Sequence, residues 1–70
     1  MIVEVFKTNV QTEIDTKHVI NTIQLQFPDY LVNFDLEDCD KILRVEGIEL
    51  DAKNIIKCLN DLGYFCILLD

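Results

Sequence analysis

The chain has 70 residues, half of them hydrophobic, and its 13 acidic and 6 basic residues give a formal net charge of −7. This length suits one domain, and so high an apolar fraction excludes a disordered chain. The basic residues are scattered singly, which argues against nucleic-acid binding. The longest apolar run, Phe65 to Leu69, is far shorter than the ~20 residues of a transmembrane helix, so we expect no membrane association.

The first two predicted elements are a strand and a helix. Residues Ile2 to Phe6 are mostly β-branched or aromatic, which is typical of a strand, and the polar residues 7–11 follow it. Thr12 stands three positions before Asp15, the spacing of a helix N-cap. Pro28 ends the helix, because the residue before a proline is pushed out of the helical conformation. The apolar positions of this helix are Val19, Ile20, Ile23 and Phe27.

The middle of the chain predicts a β-hairpin. Hydrophobic and polar residues alternate from Tyr30 to Glu37 and again from Lys41 to Glu46. This is the pattern of two strands that each bury one face. Residues 38–40, Asp-Cys-Asp, supply the polar turn between them, and Gly47 breaks the second strand.

A second helix and a last strand complete the chain. Asp51 is placed to cap the helix, and Gly63 follows where a left-handed C-terminal residue is expected. Residues Phe65 to Leu69 form a nearly continuous apolar strand, which usually lies in the middle of a sheet or is covered by a partner. The apolar stripe of the helix is Ala52, Ile55, Ile56, Leu59 and Leu62.

This order of elements predicts an α+β fold over residues 1–70. We expect one ferredoxin-like domain, a two-layer sandwich in which two helices cover one face of a four-stranded antiparallel sheet. Right-handed crossovers place the first and third strands in the centre and the second and fourth at the edges. The uncovered face, part charged and part apolar, would be a contact surface. Its predicted members are Glu4, Asn33, Asp35, Glu37, Arg44 and Glu46, with Phe6, Ile42 and either Cys66 and Leu68 or Phe65 and Ile67.

The three cysteines are odd in number and far apart in sequence, at Cys39, Cys58 and Cys66. A disulfide framework needs pairs, so we expect reduced thiols; together with the absence of a basic leader this predicts a cytoplasmic protein. Cys58 and Cys66 fall on a helix and a strand, where a thiol behaves as a small buried hydrophobe. Cys39 lies between two aspartates that disfavour its thiolate, so it is not expected to act as a nucleophile.

Several segments resemble the heavy-metal-associated domain family, which includes small copper chaperones and the N-terminal domains of metal-transporting ATPases. The most telling segment is residues 54–64, a helix that ends in Leu-Gly-Tyr before the closing strand. Residues 3–10, the helix around Val19 and Ile23, and the hairpin of residues 33–47 follow the same pattern. The resemblance covers essentially the whole chain and implies the ferredoxin-like fold.

In that family a Met-x-Cys-x-x-Cys loop between the first strand and the first helix binds Cu(I) or Zn(II). The corresponding positions here are Asn9 and Thr12 when counted from the strand, or Thr12 and Asp15 when counted from the helix. The segment from Lys7 to His18 contains no cysteine. Amide, hydroxyl and carboxylate groups are hard ligands and do not hold Cu(I). We therefore expect no metal by the family route, no cofactor and no catalytic residue.

We also consider two other functions for this sequence, binding of a hard cation and phosphatase activity. The acidic turn, Asp35 to Asp40 with Cys39 in it, would suit a hard cation such as Ca²⁺, but the glycine and twelve-residue loop of an EF-hand are missing. An acylphosphatase-like enzyme shares the strand order but needs a glycine-rich phosphate loop with an arginine, which residues 7–12 lack. His18, the only histidine, has no cysteine or serine near it in sequence, which favours an ordinary surface residue.

The sequence thus predicts a small acidic module without enzyme activity that serves protein interaction or regulation. A protein partner and weak homodimerisation through the open face or an edge strand are expected. The alternative is atypical metal binding through Cys39 and the acidic turn Asp35–Asp40, or at a dimer interface.

Overall fold

Six regular elements follow the order strand, helix, strand, strand, helix, strand in a computed structural model that describes residues 1–69. The order agrees with the prediction, but β1 is longer and β2 is shorter than the sequence pattern indicated, and β3 is shifted by one residue towards the C-terminus. The connection between β2 and β3 therefore covers residues 36–41. The elements are β1 (Ile2–Thr8), α1 (Glu13–Gln26), β2 (Leu31–Asp35), β3 (Ile42–Gly47), α2 (Ala52–Asp61) and β4 (Cys66–Leu69).

The four strands form one antiparallel sheet in the order β2-β3-β1-β4. The first and third strands are central and the second and fourth are edges, as predicted from right-handed crossovers. The two helices cover one face, so the ferredoxin-like two-layer sandwich is confirmed. For the apolar strand β4 the central position is excluded, because β4 pairs only with β1.

Both helices begin at the residues predicted as caps. The Oγ1 atom of Thr12 accepts a hydrogen bond from the backbone N–H of Asp15 at 3.1 Å. The Oδ1 atom of Asp51 accepts one from the backbone N–H of Asn54 at 3.2 Å. After α2, Gly63 has a φ of 93°, a conformation that glycine adopts without the steric penalty of a Cβ atom. Local sequence signals thus determine where the helices start and where α2 ends.

The hydrophobic core lies between the sheet and the two helices. The predicted apolar positions of both helices and the inward residues of β2 and β3 are either buried in it or packed, partly buried, against it. Val10 was not predicted to belong to it: Val10 lies in the connection between β1 and α1, yet its side chain is fully buried. The side chains without exposed surface are Phe6, Val10, Val19, Ile23, Leu43, Val45, Ile55 and Leu59.

The face of β1 that points to the helices is the opposite of the predicted one. Phe6 is fully buried and pairs with Leu43, and Glu4 lies on the same side of the strand, opposite Val45. The prediction that Glu4 and Phe6 lie on the open face was therefore wrong. Residues 2–6 offer apolar side chains on both faces, so alternation alone does not determine the side. Burying the phenyl ring of Phe6 removes more apolar area from water than burying a valine, and this decides the orientation.

The open face differs from the prediction at one further position and agrees at several. Glu37 lies beyond the end of β2, so it is not part of the sheet face. For β4 the structure selects the second of the two predicted pairs, because Cys66 is buried whereas Phe65 and Ile67 are exposed. The members that agree with the prediction on β2 and β3 are Asn33, Asp35, Ile42, Arg44 and Glu46.

Candidate interaction surface

The connection after β1, where the family resemblance places metal ligands, is closed by packing and hydrogen bonds. The side chain of Val10 fills the space under it. The hydroxyl of Thr8 donates to the carbonyl of Lys41 at 2.6 Å and accepts from the backbone N–H of Val10 at 3.3 Å. The Oδ1 atom of Asn9 accepts from the backbone N–H of Phe65 at 2.8 Å. This segment is thereby fastened to β4 and to the start of β3.

The two positions counted from the strand as metal ligands thus have structural roles in this chain. Asn9 holds the segment before β4, and Thr12 caps α1. Each bond satisfies a backbone donor that would otherwise need water or another acceptor. The side chains at these two positions therefore support the fold, and their oxygen atoms are hard ligands.

The open face of the sheet has an apolar side and a polar side. The apolar side consists of outward residues from β1 and β4, which we call the apolar strip: Val3, Val5, Ile67 and Leu69. The exposed fractions of Val3, Ile67 and Leu69 are 42%, 46% and 36%. Since the two strands are hydrogen-bonded neighbours, these side chains form one continuous patch rather than scattered exposed residues.

Val5 lies at the junction of the two sides. It pairs with Leu69 of β4 on one side and with Arg44 of β3 on the other. Arg44 donates from Nη2 to Oε1 of Glu46 at 2.9 Å, so charge on the polar side is partly paired within the chain. Lys7 lies at the margin of the strip, 3.5 Å from Oδ1 of Asp40. The open face thus joins an apolar side on β1 and β4 to a charged side on β2 and β3, and protein interfaces commonly combine apolar and polar surface in this way.

The acidic turn is built from its own hydrogen bonds. Oδ1 of Asp35 accepts from the backbone N–H of Glu37 at 3.1 Å, and Oδ1 of Asp38 accepts from the backbone N–H of Asp40 at 2.8 Å. Lys41 follows with a φ of 48° and donates from Nζ to the carbonyl of Leu36 at 3.0 Å. Aspartate side chains in such turns commonly accept a hydrogen bond from the backbone N–H two residues later in the chain. Asp35 and Asp38 therefore stabilise the turn through hydrogen bonds to its backbone.

Three of the predicted alternative metal ligands come together in this turn. One ligand atom each of Asp38, Cys39 and Asp40 lies within 4.8 Å of the others. Asp35 is outside that group. Lys7 beside Asp40 places a positive charge next to the cluster, which opposes the binding of a cation.

The cysteines and the histidine lie where the sequence predicts. Cys58 and Cys66 are buried, Cys39 is exposed, and all three are free thiols. Burial raises the pKa of the Cys66 thiol to about 12 and also raises the pKa of Cys58. Such thiols are poor nucleophiles at neutral pH. His18 is exposed on α1, as expected of an ordinary surface residue.

Comparisons with protein-family profiles, with curated proteins and with solved structures found no match to this chain. The resemblance to heavy-metal-associated domains stays a prediction, because the fold alone does not assign a family. Within residues 1–69, neither helix has the length and apolar character required to cross a membrane.

Proposed function

We propose that this chain is a non-catalytic cytoplasmic module that acts through contact of its open sheet face with protein. The apolar strip is the observation behind the proposal, because three of its four side chains are exposed on a regular sheet although they are of the kind that fills cores. Contiguous exposed apolar surface is typical of interaction sites. The closed connection after β1 supports a role in contact rather than in metal transfer.

Charge determines which partners this surface favours. Two copies of the chain, each with a formal charge of −7, repel one another. Self-association through the apolar strip should therefore be weak and should strengthen with salt, which screens the repulsion. A partner of lower negative charge, or a basic one, meets no such barrier.

Sedimentation equilibrium of three proteins tests this proposal. We expect the wild-type chain to form a dimer at high concentration, and more of it at high salt. Ile67→Lys places a charge in the apolar strip and should leave a monomer at every concentration. Ile14→Lys is the matched control, because Ile14 is 80% exposed on α1, outside the sheet face, and the charge change is the same.

A wild-type chain that stays monomeric at high concentration and high salt would argue against contact through the sheet face. Equal dimerisation of wild type and Ile67→Lys would place the contact elsewhere. In that case an edge of β2 or another surface would have to be responsible.

The second candidate function is atypical binding of a metal ion at Asp38, Cys39 and Asp40. The observation that favours it is the approach of their ligand atoms to within 4.8 Å. Two features weigh against it: Asp38 already bonds within the turn, and Lys7 lies beside Asp40. A carboxylate that accepts backbone hydrogen bonds must give some of them up, or share them, to coordinate an ion.

A further inference from the structure

A groove lies at the end of the sandwich opposite the β1–α1 connection. It has a volume of about 850 Å³ and lies between the α1–β2 turn, the β3–α2 connection and the start of β1. We call this feature the end groove. Its lining includes Phe27, Asp29, Tyr30, Ile48, Glu49 and Leu50. Its volume is in the range of preformed ligand sites in proteins.

The floor of the end groove is rigidly built. The rings of Phe27 and Tyr30 stack with centroids 4.6 Å apart and planes 8° from parallel. The hydroxyl of Tyr30 accepts from the backbone N–H of Asp51 at 3.2 Å, which fastens the β3–α2 connection to the α1–β2 turn. A Cβ atom on Gly47 would lie only 3.1 Å from both Tyr30 and Leu50. A larger residue at this position would require these side chains to shift by a few tenths of an ångström, whereas glycine fits the close packing without a shift.

The walls of the end groove offer unused apolar surface. Ile48 is 83% exposed in the β3–α2 connection, and Leu31 is 53% exposed at the start of β2. Phe27, Tyr30 and Leu50 are partly buried against the core and present their remaining surface to the groove. Such an exposed isoleucine in the same groove as two aromatic rings adds to a contiguous apolar surface, which is typical of a binding site.

The charge of the end groove is negative. Asp29, Glu49 and Asp51 line it, and none of the side chains that line it in the described part of the chain is basic. Asp51 is engaged in capping α2. Within residues 1–69, the carboxylates of Asp29 and Glu49 form neither a hydrogen bond nor a salt bridge, and both residues are exposed. Two unpaired acids thus flank an apolar floor.

We propose that the end groove binds a short segment of a protein partner in which apolar side chains alternate with lysine or arginine. The apolar side chains would contact Ile48 and the Phe27–Tyr30 stack. The cations would lie near Asp29 and Glu49, with additional attraction to the aromatic faces. The proposal goes beyond the contact through the open sheet face, because it concerns a second surface, and it names the chemistry of the partner. A second copy of this chain does not satisfy it, since the charge of −7 opposes the acids of the groove.

Heteronuclear NMR spectra of the full chain, titrated with a short synthetic peptide of leucine and lysine, test this inference. We expect shift changes at residues 27–31 and 47–51, and binding that weakens at high salt because the ion pairs are exposed. Two comparison peptides separate the contribution of the charged side chains from that of the apolar side chains. One has glutamate in place of lysine and should not bind, and the other has serine in place of leucine and should bind at least about tenfold more weakly.

Charge-reversal variants test whether the peptide binds in the end groove. Asp29→Lys combined with Glu49→Lys should lower the affinity for the leucine–lysine peptide by about tenfold or more. The control is Glu13→Lys combined with Glu37→Lys, two exposed acids outside the end groove with the same total charge change. It should weaken binding far less. Ile48→Ser tests the apolar contact without changing charge.

Three results would overturn the inference: no shift changes at millimolar peptide, equal weakening by the two double variants, or shift changes confined to the apolar strip. Its failure is separable from that of the proposed function. Dimerisation through Ile67 without peptide binding would reject only the end groove, and peptide binding by a chain that never dimerises would reject only the sheet-face contact.

Discussion

Phe6→Ala is expected to lower the free energy of unfolding by about 3–5 kcal/mol, the range found when a buried phenylalanine is truncated to alanine. Phe6 is fully buried, between Leu43 of β3 and Leu68 of β4 on the helix-covered face. Domains of this size are stable by only about 0.05–0.15 kcal/mol per residue. A large part of the population should therefore be unfolded at physiological temperature, as urea denaturation followed by circular dichroism would show.

The matched control is Val5→Ala, one residue earlier on the same strand. Val5 lies on the open face, so its truncation leaves no closed cavity, and we expect a loss below about 1 kcal/mol. Phe6→Leu keeps most of the buried volume and provides a folded variant if the alanine variant does not fold. Losses of equal size for Val5→Ala and Phe6→Ala would contradict the assignment of the faces of β1.

Reaction with a water-soluble thiol reagent at neutral pH is expected to modify Cys39 in the native chain and the other two cysteines only on unfolding. Cys39 is exposed, whereas Cys58 and Cys66 are buried. Burial raises the pKa of Cys66 from 9.0 to about 12, which lowers its thiolate fraction by roughly a thousandfold on top of the steric protection. Stopped-flow absorbance in the presence and absence of denaturant measures both phases.

The same shift predicts how stability depends on pH. Below pH 9 the Cys66 thiol is protonated in the folded and unfolded chains alike, so it adds no pH dependence. Above that value the unfolded chain loses the proton while the folded chain retains it. Stability should therefore fall as the pH rises from 9.0 towards about 12.

Cys66→Ala removes the contribution of the Cys66 thiol to the pH dependence of stability. It serves as the control, because the lysines and tyrosines titrate in both proteins and their effects cancel in the comparison. The difference in denaturation midpoint between wild type and Cys66→Ala should shrink or reverse as the pH is raised. A difference that stays constant with pH, or rapid modification of all three thiols in the native chain, would show that Cys66 is accessible to solvent.

Much of the fold could be predicted because its signals are local. Thr12 and Asp51 satisfy the first backbone donors of their helices, and Gly63 supplies the left-handed residue after α2. These roles depend on residues within one turn of the chain. The strand order then follows from connection lengths and handedness, which need no knowledge of side-chain contacts.

What could not be predicted depends on contacts between distant segments. The orientation of β1 is ambiguous in sequence, since Val5 and Phe6 are both apolar, and only the packing against the helices selects Phe6 for the core. Val10 is a single valine in a polar stretch, and its burial results from the path of the connection over the core. The end groove combines three separate segments, so no local pattern indicates it.

Titration of the reduced wild-type chain with Cu(I), Zn(II) and Ca²⁺, followed by calorimetry, tests most directly the claim that this fold works by contact and does not carry metal. We expect no stoichiometric complex with submicromolar affinity for any of the three ions. The double variant Asp38→Asn with Cys39→Ser should behave like the wild type. A one-to-one submicromolar complex would contradict the claim. Its loss in the variant would assign the ion to the acidic turn, and its retention would point to a site elsewhere in the chain.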